Sequence, residues 1–136
     1  GVPRVKIQND AISCATDVIH ALGWTGRTMV LAMGTGVGCA VIDTDAKGIG
    51  TPLLVDGESP GHIGMLDVTC DAPATIGPDG GAGSLEGYCG VPALRARFGE
   101  RINESLATLP ANDVFIRAIA RAIRIGHALY RPHNVA

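Results

Sequence analysis

The sequence predicts a single domain of the α/β class, and three observations support this class. Residues Thr28 to Val55 hold three short β-type runs separated by tight turns, which predicts an antiparallel meander. Apolar residues recur at helical spacing in three other stretches, and the length of 136 residues fits one domain. Apolar residues make up 46% of the chain, which excludes a disordered chain and permits a buried core.

The elements follow in order along the chain. Val5 and Ile7 alternate with polar neighbours and predict a short strand, and Asn9 then starts a helix that Gly23 ends. The predicted helices are Asp10–Leu22, Ser84–Phe98 with an interruption at Gly90, and Ala111–Tyr130. The predicted strands are Thr28–Met33, Val37–Ile42 and Ile49–Val55, and Asn134 to Ala136 look like the opening of a further strand. We therefore expect the chain to be a piece of a longer protein.

Charge and composition exclude several partners. The formal net charge is −2, so we expect no nucleic-acid partner, because phosphate binding needs a surplus of Lys and Arg. No apolar run is long enough to span a membrane, and no signal peptide is visible. The four cysteines form no C-x-x-C pair and are expected to be free thiols in a reducing compartment. Arg117, Arg121 and Arg124 are expected on the solvated face of the last helix.

Gly34, Thr35 and Gly36 form a glycine-rich turn between two predicted strands. Such a turn lets backbone N–H groups approach an anion closely, and the threonine adds a hydroxyl donor, so a phosphate would suit it. A plain hairpin needs glycine as well, because its turn requires positive φ angles. From these residues alone, both interpretations stay open.

Asp10 and Asn9 stand at the predicted junction between strand and helix. A carboxylate there could take a proton from a substrate hydroxyl, and the amide could bind a neighbouring hydroxyl. Both residue types are also common helix caps, so a purely structural role is the alternative. A helix start favours the ionised carboxylate and makes it a weak base. Phosphoryl transfer needs little help from a base, because positioning dominates its loose transition state.

Glu86 and His62 are the other candidate ligand contacts. Ser84 can cap the predicted helix and Glu86 lies in its first turn, where the helix dipole favours a carboxylate without any further function. His62 stands between glycines in a loop, where a lone histidine is usually solvated. Each of these residues has a structural explanation that stays open beside the functional one.

Taken in order, these pieces resemble the ROK family of bacterial sugar kinases. The matching features are N-D-A at a helix start, G-T-G-x-G between strands, a glycine-rich loop and L-E-x-Y, from Val5 to Ala136. The resemblance implies a ribonuclease H-like, actin-like ATPase fold, of which this chain would be an incomplete part. It also implies ATP-dependent phosphorylation of a hexose or amino sugar in the cytoplasm.

The resemblance implies roles for individual residues. Asp10 matches the catalytic base, Asn9 and Glu86 match contacts to sugar hydroxyls, and the Gly34–Gly36 turn matches a phosphate site. His62 occupies the place of a family glutamate that contacts sugar. ATP and Mg²⁺ would bind together with parts of the protein outside this chain, so the fragment alone should be inactive.

The zinc site of the family is expected to be missing. Met65 stands where the family has its zinc histidine, and the cysteine positions hold Gly77, Asp79 and Ser84. Zinc needs three or four N or S ligands in tetrahedral reach, so we predict none.

Two non-catalytic alternatives remain. The first is a sugar-responsive transcription regulator of the same family, and the second is a degenerate structural module. An open sheet edge beyond Ala136 would favour self-association or a partner chain that completes the fold.

Overall fold

The structure is a computed structural model that describes residues 9–55, 62–70, 75–77 and 81–136. The strand expected at Val5 and Ile7 lies outside the described residues, as does Asp79. The described chain is mixed α/β, as the sequence predicts. Its helices are α1 (Asp10–Leu22), α2 (Leu85–Cys89), α3 (Val91–Phe98), α4 (Ile102–Leu106) and α5 (Val114–Tyr130), and its strands are β1 (Gly26–Met33), β2 (Val37–Thr44), β3 (Gly50–Pro52) and β4 (Asn134–Val135).

Helix α1 has the bounds that the sequence predicts. The Asn9 side chain accepts a hydrogen bond from the Ala11 N–H, with 2.9 Å between Oδ1 and N. Gly23 adopts the left-handed conformation with φ 62°, where its N–H closes the last turn onto the carbonyl groups of His20 and Ile19. The cap and the glycine end therefore set the helix at both termini.

The four strands form one sheet in the order β3-β2-β1-β4. The meander is confirmed, since β1 pairs antiparallel with β2 and β2 pairs antiparallel with β3. Met33 is opposite Val37, which leaves Gly34 to Gly36 as the connecting turn. Strand β3 is shorter than predicted: only Gly50 to Pro52 lie in it, and Leu53, Leu54 and Val55 are exposed.

Strand β4 confirms the strand expected at the end of the chain. It runs parallel to β1, and the N–H of Leu31 donates to the carbonyl of Ala136 at 2.8 Å. The N–H of His133 donates to the carbonyl of Arg27 at 2.7 Å. A parallel pair needs a long crossover connection, and the helices α2 to α5 lie within it.

The sheet has an apolar layer on each side. Helix α1 covers the first face, where Ile12, Ala15 and Ile19 pack against Val30 and Ile42. Helix α5 covers the second face together with α2 and α3; the buried residues there include Met29, Val41, Leu85, Phe115 and Ala118. We call these the α1 face and the α5 face.

The helices after the loop agree with the prediction in one respect and differ from it in two. The predicted Ser84–Phe98 helix is two helices, α2 and α3, that meet at Gly90, where the sequence expects an interruption. Helix α5 begins at Val114 rather than Ala111, because Asp113 caps it by accepting from the Phe115 N–H at 2.9 Å. The short helix α4 was not predicted.

The prediction of a solvated arginine face is wrong for Arg117, which is half-buried, whereas Arg121 and Arg124 are exposed. The Arg117 guanidinium donates to the Cys70 carbonyl at 2.7 Å, and the Arg121 guanidinium donates to the Thr69 carbonyl. Both arginines therefore hold residues 69–70 against α5.

All four cysteines are free thiols: Cys14 is exposed, and Cys39, Cys70 and Cys89 are buried. Among the described residues, none of the helices is long and apolar enough to cross a membrane.

Candidate functional site

A cavity of about 430 Å³ opens between the start of α1, the β1–β2 turn and the start of α2. It brings together residues that are far apart in the sequence and that the sequence analysis singled out separately. Its lining residues are Asp10, Cys14, Ala32, Met33, Gly34, Thr35, Gly36, Val37, Gly38, His62 and Glu86. We call it the first cavity.

Asp10 lies at the edge of the first cavity, in the first turn of α1. One carboxylate oxygen, Oδ1, accepts from the Ala11 N–H at 2.7 Å. No described residue donates a hydrogen bond to the other oxygen, Oδ2, and the residue is exposed. The carboxylate is thus anchored at one atom and available at the other.

Asn9 does not line this cavity with the other predicted residues. Its side chain caps α1 through the Ala11 N–H, so the structural role that the sequence left open is the one observed. Its carbonyl also accepts from the Ser13 N–H at 3.1 Å, as in the first turn of a helix. Asn9 therefore fixes the start of the helix that carries Asp10, and it does not line the cavity.

The Gly34–Gly36 turn is held against the start of α3. The Gly34 N–H donates to the Gly36 carbonyl at 2.8 Å, and the Gly34 carbonyl accepts from the Val91 N–H at 2.8 Å. The N–H groups of Thr35 and Gly36 donate to no acceptor in the described part of the chain. A Cβ at Gly90 would lie 2.9 Å from the Thr35 carbonyl oxygen, so the close approach requires glycine there. The turn is therefore fixed in place and keeps two backbone donors for a ligand.

The Glu86 side chain extends from α2 to strand β2 of the sheet. Ser84 caps α2 by accepting from the Gly87 N–H at 3.1 Å, and this sets the direction of the first turn. The Glu86 Oε1 atom accepts from the Val37 N–H at 2.9 Å. A Cβ at Gly36 would lie 2.5 Å from Oε1, and a Cβ at Gly64 would lie 2.5 Å from the Glu86 Cγ atom. Two glycines thus form a slot that holds the glutamate side chain.

The fold has a counterpart among solved structures. One match is the crystal structure of a ROK family transcriptional regulator, a homologue of the E. coli MLC protein, with a TM-score of 0.65 and 18% sequence identity. The described chain therefore shares its fold with part of a ROK protein. The alignment covers 93% of this chain and 37% of the regulator, so the chain spans little more than a third of that protein's length. No protein-family model and no curated protein matches the sequence.

His62 also lines the first cavity and directly precedes a 3₁₀ turn at Ile63–Met65. Its carbonyl accepts from the Met65 N–H at 2.9 Å, which closes that turn. His62 is exposed, and Met65 is 52% exposed. The described residues contain no group of three His, Cys, Asp or Glu side chains that could hold a metal ion.

The fold also brings two features to the site that the sequence patterns do not predict. Cys14 lines the first cavity one helical turn after Asp10, and the spacing of four residues on α1 was the available signal. The Val37 N–H anchors Glu86, and no side-chain pattern could have indicated this backbone donor. Burial raises the pKa of the Cys39 thiol to about 11 and that of Cys89 to about 12, so neither is a nucleophile near neutral pH.

Proposed function

We propose that this chain is the sugar-side part of a ROK-family sugar kinase, with the ribonuclease H-like fold of that family. The supporting observation is that a single cavity is lined by Asp10, Glu86, His62 and the Gly34–Gly36 turn. Those groups come from four separate segments of the chain. They comprise an acceptor for a proton, two groups that bind hydroxyls and a backbone site for an anion.

The proposed substrate is a hexose or amino sugar bound beside Glu86. A carboxylate accepts two hydroxyl hydrogen bonds from a vicinal diol, and these are stronger than bonds between neutral groups. Glu86 uses Oε1 for the Val37 N–H, and no described residue donates a hydrogen bond to Oε2, so that oxygen is available to a sugar hydroxyl. His62, which lines the same cavity, would bind a further hydroxyl. The fixed position of the glutamate favours one orientation of the sugar over others.

In the proposed reaction, the attacking sugar hydroxyl lies against Asp10 Oδ2. Its oxygen forms the new bond to the terminal phosphorus of ATP, the bond to the departing ADP breaks, and the hydroxyl proton passes to Asp10. The Thr35 and Gly36 N–H groups would donate to the transferring phosphoryl group, whose charge is spread over its oxygens. Positioning by these groups would supply most of the acceleration.

ATP is the phosphoryl donor in this proposal, and Mg²⁺ would accompany it. The two unengaged N–H groups of the turn fit one phosphate, but no adenosine site and no magnesium ligand is assigned to this chain. Zinc has no part in the proposal. The reaction would take place in the cytoplasm, and a second copy or a partner chain would pair with the sheet edge at β4.

A sugar-responsive regulator is the second candidate, because one solved structure with a similar fold is a transcriptional regulator. Such a protein would bind the sugar in the same cavity without transferring phosphate. The two candidates therefore share the ligand and differ in the reaction.

The test is a coupled ATP-consumption screen of the full-length protein over common hexoses and N-acetylhexosamines, with sugar affinity measured by calorimetry in parallel. A kinase gives turnover with at least one sugar, and Glu86→Ala weakens its binding. Binding that depends on Glu86 but gives no turnover supports the regulator. If no sugar binds, both candidates are wrong.

A further inference from the structure

A second and larger cavity, of about 670 Å³, lies on the α1 face at the other end of α1. It lies between the C-terminal half of that helix and the β2–β3 hairpin, and it shares no lining residue with the first cavity. Its lining residues are Ile12, Thr16, Ile19, His20, Gly23, Trp24, Thr25, Ile42, Thr44, Ala46, Lys47, Gly48, Gly50 and Pro52. Its volume is in the range of small-molecule sites.

Thr44 is the residue that marks this cavity as a binding site. It is 5% exposed, and its Oγ1 atom has no hydrogen-bond partner in the described part of the chain. Two other buried hydroxyls in the described chain have partners: Thr28 accepts from the Asn134 side chain at 3.2 Å, and Ser84 accepts from the Gly87 N–H. The buried Tyr88 hydroxyl also has no described partner, but Tyr88 does not line this cavity. A buried hydroxyl without a partner is costly, so a ligand that supplies one gains affinity.

The charges around Thr44 favour an anion. Lys47 follows it by three residues in the hairpin turn, His20 lines the facing helix, and none of the lining residues is acidic. The neighbouring carboxylates are engaged elsewhere. Asp43 pairs with the Arg27 guanidinium at 2.7 Å, and Asp45 accepts from the Lys47 N–H at 2.8 Å within the turn.

The rest of the wall is apolar and includes the indole ring of Trp24. Ile12, Ile19 and Ile42 are each at most 6% exposed and form one side of the cavity. Trp24 packs against the same apolar cluster and remains half-buried. Such a wall fits a flat apolar ring and does not by itself favour a sugar.

We propose that the second cavity binds a small aromatic carboxylate, with the ring against Trp24 and the isoleucines. One carboxylate oxygen accepts from the Thr44 hydroxyl, and the anion lies near Lys47. The site is separate from the proposed sugar site. Helix α1 nevertheless borders both cavities, since Asp10 and Cys14 line the first one and Ile12, Thr16, Ile19 and His20 line the second.

The chain supplies its own probe, because Trp24 is its one tryptophan. In the full-length protein with other tryptophans replaced by phenylalanine, salicylate is titrated while Trp24 emission is recorded. We expect saturable quenching, with affinity about tenfold weaker in Thr44→Val and in Lys47→Gln. Benzyl alcohol lacks the negative charge. Its affinity for the parent protein should be no higher than the affinity of salicylate for Lys47→Gln.

Arg124→Gln is the matched control, since Arg124 is exposed on α5 at the opposite face of the sheet, and it should leave salicylate affinity unchanged. Thr44→Val keeps the shape of the side chain and removes an unsatisfied group, so it should fold with an unchanged or higher Tm. Glu86→Ala should keep salicylate binding even if it loses sugar binding, which separates this proposal from the kinase proposal. Absent or unsaturable quenching, or equal affinity in all variants and for benzyl alcohol, would overturn it.

Discussion

Glu86 accepts a hydrogen bond from the backbone N–H of Val37, with 2.9 Å between Oε1 and N. The bond joins α2 to the first residue of β2, 49 positions earlier in the sequence. It places a carboxylate beside a backbone turn. Gly36 and Gly64 lie against the Glu86 side chain and confine it to this position. The wall of the first cavity is therefore set by packing as much as by hydrogen bonding.

Replacing Gly64 by alanine should remove Glu86 from this position. The new Cβ would overlap the Glu86 carboxylate and lie 2.5 Å from its Cγ, so the side chain must move and the bond to Val37 is lost. We expect sugar affinity to fall about tenfold or more, because one charge-assisted bond is lost at the least. Calorimetric titration measures this directly.

A double variant separates this clash from a general loss of folding. In a Glu86→Ala background, Gly64→Ala should cost little further stability, because the overlapping side chain is gone. Urea unfolding of the four proteins in this cycle gives the coupling. If Gly64→Ala lowers the free energy of unfolding equally in both backgrounds, Glu86 is not held in a slot formed by the two glycines.

Asp10→Asn should slow phosphate transfer strongly while the protein still binds sugar. The amide keeps the size of the side chain but cannot take the hydroxyl proton, so we expect kcat to fall by about 10²- to 10⁴-fold. Sugar affinity should change much less. Asp17→Asn, on the exposed side of the same helix, is the control for charge. Unchanged turnover in Asp10→Asn would exclude Asp10 as the base.

Cys14 should be the thiol that reacts with iodoacetamide in the folded protein. It is exposed, whereas Cys39, Cys70 and Cys89 are buried, and burial raises the pKa of Cys39 to about 11 and of Cys89 to about 12. Mass spectrometry should find the adduct at Cys14 under native conditions and at all four sites after unfolding. Bound sugar should slow the native reaction, because Cys14 lines the first cavity. Rapid native labelling of Cys39 would contradict the packing of β2.

Asp113 should make the stability of α5 depend on pH. The hydrogen bonds from Arg97 hold the pKa of this carboxyl below its usual range, and the carboxyl also caps α5. Its contribution is full above the unfolded pKa of about 3.9 and is lost as the pH falls through the lower folded value. Asp113→Ala should therefore cost about 1–2 kcal/mol at pH 7 and progressively less below about pH 4.

Glu100 provides the matched comparison for Asp113. It pairs with Arg95 at 3.6 Å, and both side chains are largely exposed. Surface pairs of this kind contribute about 0–1 kcal/mol, so Glu100→Ala should leave the urea midpoint nearly unchanged at either pH. A larger loss for Glu100→Ala than for Asp113→Ala would contradict this ranking.

Elemental analysis of the purified full-length protein should find well under one zinc per chain. The resemblance to the ROK family implies that Met65, Gly77 and Ser84 stand where that family has zinc ligands. None of these residues binds zinc well. Stoichiometric zinc would show that the alignment of this loop is wrong.

The sequence predicts those elements whose signals are local. Helix α1 has a capping asparagine, an apolar face and a terminating glycine, and all three operate within a few residues. The start of α5 was placed three residues early, since the pattern does not reveal that Asp113 is the cap. Helix α4, Ile102–Leu106, has no side-chain cap and is five residues long, so nothing local distinguishes it.

Long-range contacts account for what the sequence could not predict at the site. The gathering of Asp10, Gly34, His62 and Glu86 in one cavity was expected from the resemblance rather than from periodicity. The contact between Glu86 and the Val37 N–H depends on the path of two segments that are far apart. The sequence predicts a solvated Arg117, because its partner, the Cys70 carbonyl, belongs to a loop with no pattern of its own.

The pairing of β4 with β1 has a consequence for how the protein is made. Residues 27–31 bond to residues 133–136, so a ribosome must add about a hundred further residues after β1 emerges before this pairing can form. During that interval, one edge of the nascent hairpin is exposed to other chains. Slower translation through the helical segment would lengthen this exposure, and chaperone occupancy of the nascent chain should be greatest there.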